Sequence, residues 1–251
     1  MLIGARQGCV AGGAGTVEKM AVLKRLRYDF MELALTRHEI GNLGPGSAEE
    51  YVEYVERSGL PILSTSLGHF GDFAALSPEE RAEILQHIRA LIEFTGALGA
   101  DTILLATRED SEDVAQYVGV YREELAPVAD EAARAGVTLA LEHVSGYKPC
   151  VLARLVEQIG HPGIRIYFDM GNCLNVGEDP LEHARICALL TAQLHAKGGP
   201  TTPLGCMPLV AVREILESAN FPGRVCLEIP AVEGDRPLAE ARGLLKMAGY
   251  C

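Results

Sequence analysis

Four short apolar runs in the second half of the chain each end on a residue type that can bind a metal ion. They are Val137-Thr-Leu-Ala-Leu-Glu142, Ile164-Arg-Ile-Tyr-Phe-Asp169, Leu190-Thr-Ala-Gln-Leu-His195 and Arg224-Val-Cys-Leu-Glu228. Each is short, rich in branched or aromatic residues and followed by Gly, Pro, Asn or Ser signals, the pattern of a buried strand. Successive ends are separated by about one strand plus one crossover helix, the repeat of a parallel sheet. Parallel strands that all end on polar groups bring those groups to one rim.

The first half continues the alternation. Leu2 to Ala5, Phe30 to Leu35, Leu60 to Leu67 and Thr102 to Ala106 read as strands. Between them lie helical segments at Val17 to Arg27, Ser47 to Ser58 and Ser77 to Leu98; Ser77-Pro-Glu-Glu80 has the composition of a helix start. Tyr117 to Ala135 reads as one long helix that Pro127 either kinks or divides. Helices near 151–159, 180–188, 208–219 and 238–248 follow the later strands. Eight strand–helix alternations in 251 residues, with no linker, repeat or low-complexity tract, predict a single (β/α)8 barrel, α/β in class, over residues 1–251.

A net charge of −12 argues against a protein that grips a phosphate backbone by bulk electrostatics, so nucleic acid is not expected as a partner. No apolar run approaches the roughly 20 residues that span a bilayer, and Met1-Leu-Ile-Gly-Ala-Arg6 does not have the regions of a secretory leader. The expectation is a cytoplasmic protein without a membrane partner. Its seven cysteines are scattered, with no Cys-x-x-Cys pair, and read as reduced thiols.

Side chains alternate along a strand, so Ala140 shares a face with Glu142, Tyr167 with Asp169, Gln193 with His195 and Cys226 with Glu228. The preceding residues, Leu141, Phe168, Leu194 and Leu227, are apolar and face the helices. Three carboxylates crowded round one imidazole repel one another unless a cation sits among them. The expected cofactor is one divalent metal ion held by Glu142, Asp169, His195 and Glu228. The oxygen-rich set favours Mn2+ or Mg2+, with Mn2+ first, and the nitrogen admits Co2+, Zn2+ or Fe2+.

Other residues are secondary candidates. Glu32 interrupts the apolar strand Phe30 to Leu35, where a carboxylate needs a partner; it either bonds within a polar barrel interior or supports the site. His69, in Gly68-His-Phe-Gly71, follows a strand and is a candidate substrate contact, as are Arg108 after strand four, Asn172 and Lys197. For Arg108 the alternative is an ion pair with Glu109 or Asp110. The glycine-rich segment Gln7 to Gly15 has neither P-loop nor dinucleotide spacing, so phosphate binding is not expected there.

Taken together, Leu-Ala-Leu-Glu142, Phe-Asp169-Met-Gly-Asn172, Leu-His195-Ala-Lys197 and Cys-Leu-Glu228 resemble the metal-binding set of the xylose-isomerase-like sugar phosphate isomerase/epimerase superfamily. Tyr28-Asp-Phe-Met-Glu-Leu33 resembles its second strand, and the likeness covers essentially the whole chain. There are two departures. Asn172 stands where many members have histidine, and Gly198-Gly199 follows Lys197 where an acidic residue is common. The superfamily's DNA-repair branch uses additional histidines and is discounted.

The resemblance implies a role in carbohydrate metabolism, with a sugar or polyol as small-molecule partner, and allows a homo-oligomer. The implied reaction is isomerisation or epimerisation through a metal-stabilised enediolate, with Glu142 and Glu228 as the catalytic proton-transfer pair. Two alternatives stay open. One is a metal-dependent dehydratase or lyase on an inosose, keto-sugar or dehydroshikimate-like compound; the other is a non-catalytic sugar-binding or subunit-forming barrel.

Overall fold

The computed structural model describes residues 1–11, 15–44, 46–68, 72–144, 146–231 and 233–250. Eight parallel strands close in sequence order: β1 Leu2–Arg6, β2 Phe30–Leu35, β3 Ile62–Leu67, β4 Thr102–Thr107, β5 Thr138–His143, β6 Ile164–Asp169, β7 Thr191–Ala196 and β8 Arg224–Leu227. The ring closes through β1 and β8, with Gly4 opposite Cys226. This is the (β/α)8 barrel anticipated from the alternation. No helix among the described residues is long and apolar enough to cross a membrane.

Two apolar regions form, and they differ in size. The larger lies between the strands and the helices and contains Leu141, Phe168, Leu194 and Leu227. The smaller lies within the barrel and contains Leu104, Ala106, Ala140, Tyr167 and Ala192. The alternation read from strands β5 to β8 holds at their polar ends, with one slip at Ala192, which faces the interior although it has the parity of Leu194, where the pairing of β6 with β7 shifts. At the barrel floor, a Cβ on Gly4 would overlap the Phe30 ring, so a glycine is required for β1 to pass β2 at this point.

The helices are α1 Thr16–Arg25, α2 Arg37–Gly41, α3 Ser47–Ser58, α4 Pro78–Ala97, α5 Val118–Val120, α6 Ala126–Arg134, α7 Pro149–Ile159, α8 Met170–Asn175, α9 Pro180–Cys187, α10 Leu209–Ser218 and α11 Arg236–Met247. Ser77 caps α4 through a reciprocal box with Glu80. Two short helices, α2 and α8, were not anticipated. Thr36 starts α2 by the same reciprocal capping with Glu39.

The long helix expected across Pro127 is neither simply kinked nor split. A π-helical turn, Tyr121–Leu125, joins α5 to α6, and Pro127 falls in the first turn of α6. A proline has no N–H to donate, and a widened turn beside it accommodates that loss. The same turn aims Tyr121 at the rim. Its hydroxyl lies 3.0 Å from that of Thr107 and donates to Glu109 at 2.5 Å.

Glu109 is buried, and its carboxyl also accepts from the Ala74 amide at 3.3 Å and bonds the Asp72 carboxyl. Burial first, then the adjacent Asp72 carboxyl, pushes Glu109 up to about 8. One proton thus ties the segment after β3 to the segment after β4. Because the folded value is raised above the unfolded one, the stabilisation is complete below the ordinary carboxylate range and is lost as pH rises to about 8. Glu109→Gln keeps a donor toward Asp72 and an acceptor toward Tyr121. Its thermal midpoint is expected to fall less between pH 5 and 8 than that of the wild type, and to lie a few degrees higher at pH 8. Parallel melting curves for the two proteins would disprove this role for Glu109.

Candidate metal centre

Each of the four strand-end residues reaches the barrel mouth for a local reason. Glu142 and His195 are the inward-facing penultimate residues of β5 and β7. Glu228 follows β8 directly, and its amide continues the ladder by donating to the Ala196 carbonyl at 3.1 Å. Asp169 ends β6 and caps α8: its Oδ1 accepts from the amides of Gly171 at 2.8 Å and Asn172 at 3.0 Å. The cap fixes the carboxylate and turns Oδ2 toward the centre.

One ligand atom from each of Glu142, Asp169, His195 and Glu228 lies within 4.8 Å of every other. Around His195 Nδ1 the separations are 2.7 Å to Glu142 Oε1, 3.6 Å to Glu228 Oε2 and 3.8 Å to Asp169 Oδ2. Glu142, Asp169 and His195 are buried, while the Glu228 side chain keeps 22% exposure at the open side. Three carboxylate oxygens and one imidazole nitrogen in this space fit a divalent ion.

Two basic side chains complete the charge balance. Lys197 Nζ bridges Asp169 Oδ2 and Glu228 Oε2 at 2.7 Å each. Arg6, at the end of β1, donates to Glu228 Oε1 at 2.5 Å and lies 3.6 Å from Glu32. Burial, with the Glu142 and Glu228 charges, pushes the Asp169 carboxyl up against the opposing pull of Lys197. Burial also works on Glu228, but His195, Lys197 and Arg6 together hold it well below the ordinary carboxylate range. Neighbouring cations thus keep one rim carboxylate ionised, while burial raises the affinity of another for a proton.

Glu32 turns out to sit beneath this centre. Its Oε1 is 3.3 Å from His195 Nε2, and its Oε2 accepts from Tyr167 and, at 3.5 Å, from Ser64. Gln193 extends the network to Ser64 at 3.0 Å and Tyr167 at 2.5 Å. The Tyr167 and His195 rings lie 4.3 Å apart. A proton on Nε2 given to Glu32 leaves Nδ1 free to ligate, so Glu32 selects which nitrogen faces the carboxylates. Glu32, His195 and Cys226 form a second group able to hold an ion. That group is fully buried, Glu32 is already engaged by His195, Tyr167, Ser64 and Arg6, and burial followed by the Glu32 charge pushes the Cys226 thiol up to about 12. The outer group, open at Glu228, is the one a substrate can reach.

The remaining candidates divide. Lys197 is in the cluster. Asn172 is buried beside it, but its side chain donates to the His143 carbonyl at 2.9 Å and accepts from Asn175 at 3.1 Å. Arg108 pairs with Asp110 at 3.0 Å, half-exposed at the rim. His69 lies outside the described residues, as does part of the glycine-rich segment. Arg6 was not singled out from the sequence. The face alternation that found Glu142 also places Gly4 and Arg6 inside β1, and that signal was present.

The xylose isomerase-like TIM barrel family model matches residues 20–248. No curated protein matches the chain. Solved structures share its fold at low identity. The 3-keto-D-glucoside 4-epimerase of E. coli is 18% identical, with a TM-score of 0.75 and 100% of both chains covered. D-psicose 3-epimerase with D-tagatose, from Clostridium cellulolyticum H10, is 16% identical, with a TM-score of 0.81 and 100% of both chains covered. A Mycobacterium smegmatis barrel protein in complex with magnesium is 16% identical, with a TM-score of 0.75, covering 98% of this chain and 96% of that one.

The geometry predicts that metal-stripped protein binds one Mn2+ per chain in a calorimetric titration and that Asp169→Asn does not. Glu32→Gln is expected to bind the ion about 10- to 100-fold more weakly, the range for a group that orients a ligating histidine. Wild-type affinity in Glu32→Gln would remove Glu32 from the site's support.

Proposed function

The chain belongs to the xylose isomerase-like TIM barrel family, and on that premise we propose that it is a divalent-metal-dependent isomerase or epimerase of a sugar or sugar phosphate. The observation that carries this reading is the convergence of Glu142, Asp169, His195 and Glu228 at a barrel mouth open on the Glu228 side. Epimerases and metal-bound proteins among the solved barrels of like fold support it. Manganese is the first choice for the ion, since the donors are mainly carboxylate oxygens.

An ion held by the four residues would act as a Lewis acid toward a substrate carbonyl and its neighbouring hydroxyl. The chain's own groups then handle the proton. Glu142 and Glu228 come from β5 and from the end of β8, well separated round the ring, and so can address opposite faces of a substrate carbon. Each has a second oxygen beside the one it offers to the centre, so ligation and proton transfer can share a residue. One of the two would accept the proton beside the carbonyl, and the other would return one from the opposite face. Return to the same carbon is epimerisation, and return to the neighbouring carbon is isomerisation. Lys197, with two of its three N–H groups directed at Asp169 and Glu228, has one left to offer a substrate hydroxyl.

A panel of ketoses incubated with Mn2+-loaded protein in deuterium oxide is expected to yield one that takes up deuterium beside its carbonyl. Glu142→Gln and Glu228→Gln, each assayed at saturating Mn2+, should slow that exchange by about 10²- to 10⁴-fold. Release of water in place of exchange would assign dehydration instead. Full turnover in Glu142→Gln would sink the two-carboxylate mechanism.

A further inference from the structure

A cavity of about 590 Å³ opens beside the metal-ligand cluster, walled by 197–200, 202–204 and 228–230. Its inner end is the pair Lys197 and Glu228, already in contact at 2.7 Å. Beyond that pair, the described residues of the walls carry no ionisable side chain: they are two glycines, Pro200, Pro203, Pro230, Leu204, Ile229 and the Thr202 hydroxyl.

The walls are held in place. A Cβ on Gly198 would overlap the Thr202 carbonyl, and one on Gly199 would overlap the Leu174 side chain, so this segment folds closely on itself and against α8. Opposite, the Ile229 amide donates to Cys9 Sγ at 3.3 Å, and that thiol donates to the Leu227 carbonyl at 3.3 Å. The space is thus built into the rim. It is where the chain departs from the acidic residue expected after Lys197.

Charge decides what the cavity can receive. A phosphoryl group carries close to two negative charges and needs several donors, preferably cationic. Lys197, the one basic side chain among the described lining residues, is already shared between Asp169 and Glu228. A phosphate here would meet the Glu228 carboxylate with no uncommitted cation from these walls. Carbon–hydrogen surface, by contrast, finds proline rings, Leu204 and Ile229 to pack on.

We propose that this cavity takes the end of the substrate remote from the reacting carbonyl, and that this end is uncharged and apolar. The substrate class is a phosphate-free hydroxy ketone of the sugar type that carries an apolar substituent. The assignment rests on the reading of the neighbouring cluster as a metal-dependent proton-transfer site and narrows it.

The test compares three probes on Mn2+-loaded protein by calorimetry: D-fructose, D-fructose 6-phosphate and 6-O-benzyl-D-fructose. The benzyl derivative is expected to bind about tenfold more tightly than D-fructose, and the phosphate no more tightly than D-fructose. Ile229→Asp should erase the benzyl advantage, with Mn2+ stoichiometry in the same samples reporting that the site is intact. Tightest binding by the phosphate, or a benzyl advantage that survives Ile229→Asp, overturns the proposal and leaves the metal-dependent reading standing. If no probe binds in a Mn2+-dependent manner, both readings fall together.

Discussion

Electrostatic repulsion among Glu142, Asp169 and Glu228 is the constraint on which the rest of this barrel mouth depends. Three carboxylates within 4.8 Å of one another are tolerated only where positive charge is supplied from fixed positions. The chain supplies it from two strand ends, Arg6 from β1 and Lys197 just beyond β7, on either side of the His195 imidazole. Each is on a rigid element, so the compensation is built in before any ligand arrives. A divalent ion would join an arrangement that these charges already shape.

The layer beneath the mouth explains why the barrel interior is polar at a depth where branched aliphatic residues are usual. Glu32 must meet His195 Nε2, and a carboxylate at that depth needs donors of its own. Tyr167, Ser64 and Gln193 provide them in one connected network. The pairing of β2 with β3 and of β6 with β7 slips by one residue, the unmatched ones being Leu63 of β3 and Ala192 of β7, just before Ser64 and Gln193. Such irregularities re-aim side chains, and here they serve the imidazole above.

Much of this was legible from the chain alone because strands enforce a two-residue alternation. Given four apolar runs with polar ends, parity alone puts Glu142, Asp169, His195 and Glu228 on one face, and parallel crossovers put that face at one rim. The boundaries of β2 and β6 follow from the same apolar runs. What parity does not reveal is distance across the ring. Arg6 meets Glu228 only because β1 closes against β8, a pairing between opposite ends of the chain. Asp169 reads as a ligand, yet its second task, capping α8, depends on a helix too short to leave a periodic signal. Glu109 was visible only as a neighbour for Arg108. Arg108 pairs with Asp110, and Glu109 turns inward because the π-helical turn before Pro127 delivers Tyr121 to it.

The cluster and the loops answer different questions, and this separates what the family shares from what one member does. A strand-end metal set is rigid and serves any substrate with a carbonyl beside a hydroxyl, so it fixes a reaction type and leaves the substrate open. Selectivity has to come from surfaces within reach of the ion but free to vary. The segment after β7 is such a surface, with Gly198 and Gly199 followed by Pro200, Pro203 and Leu204. A carboxylate in place of Gly198 would bring a fourth negative group beside Glu228 and overlap the Thr202 carbonyl. The same substitution that opens room for carbon therefore also spares Lys197 a further partner, leaving its ammonium centred on Asp169 and Glu228.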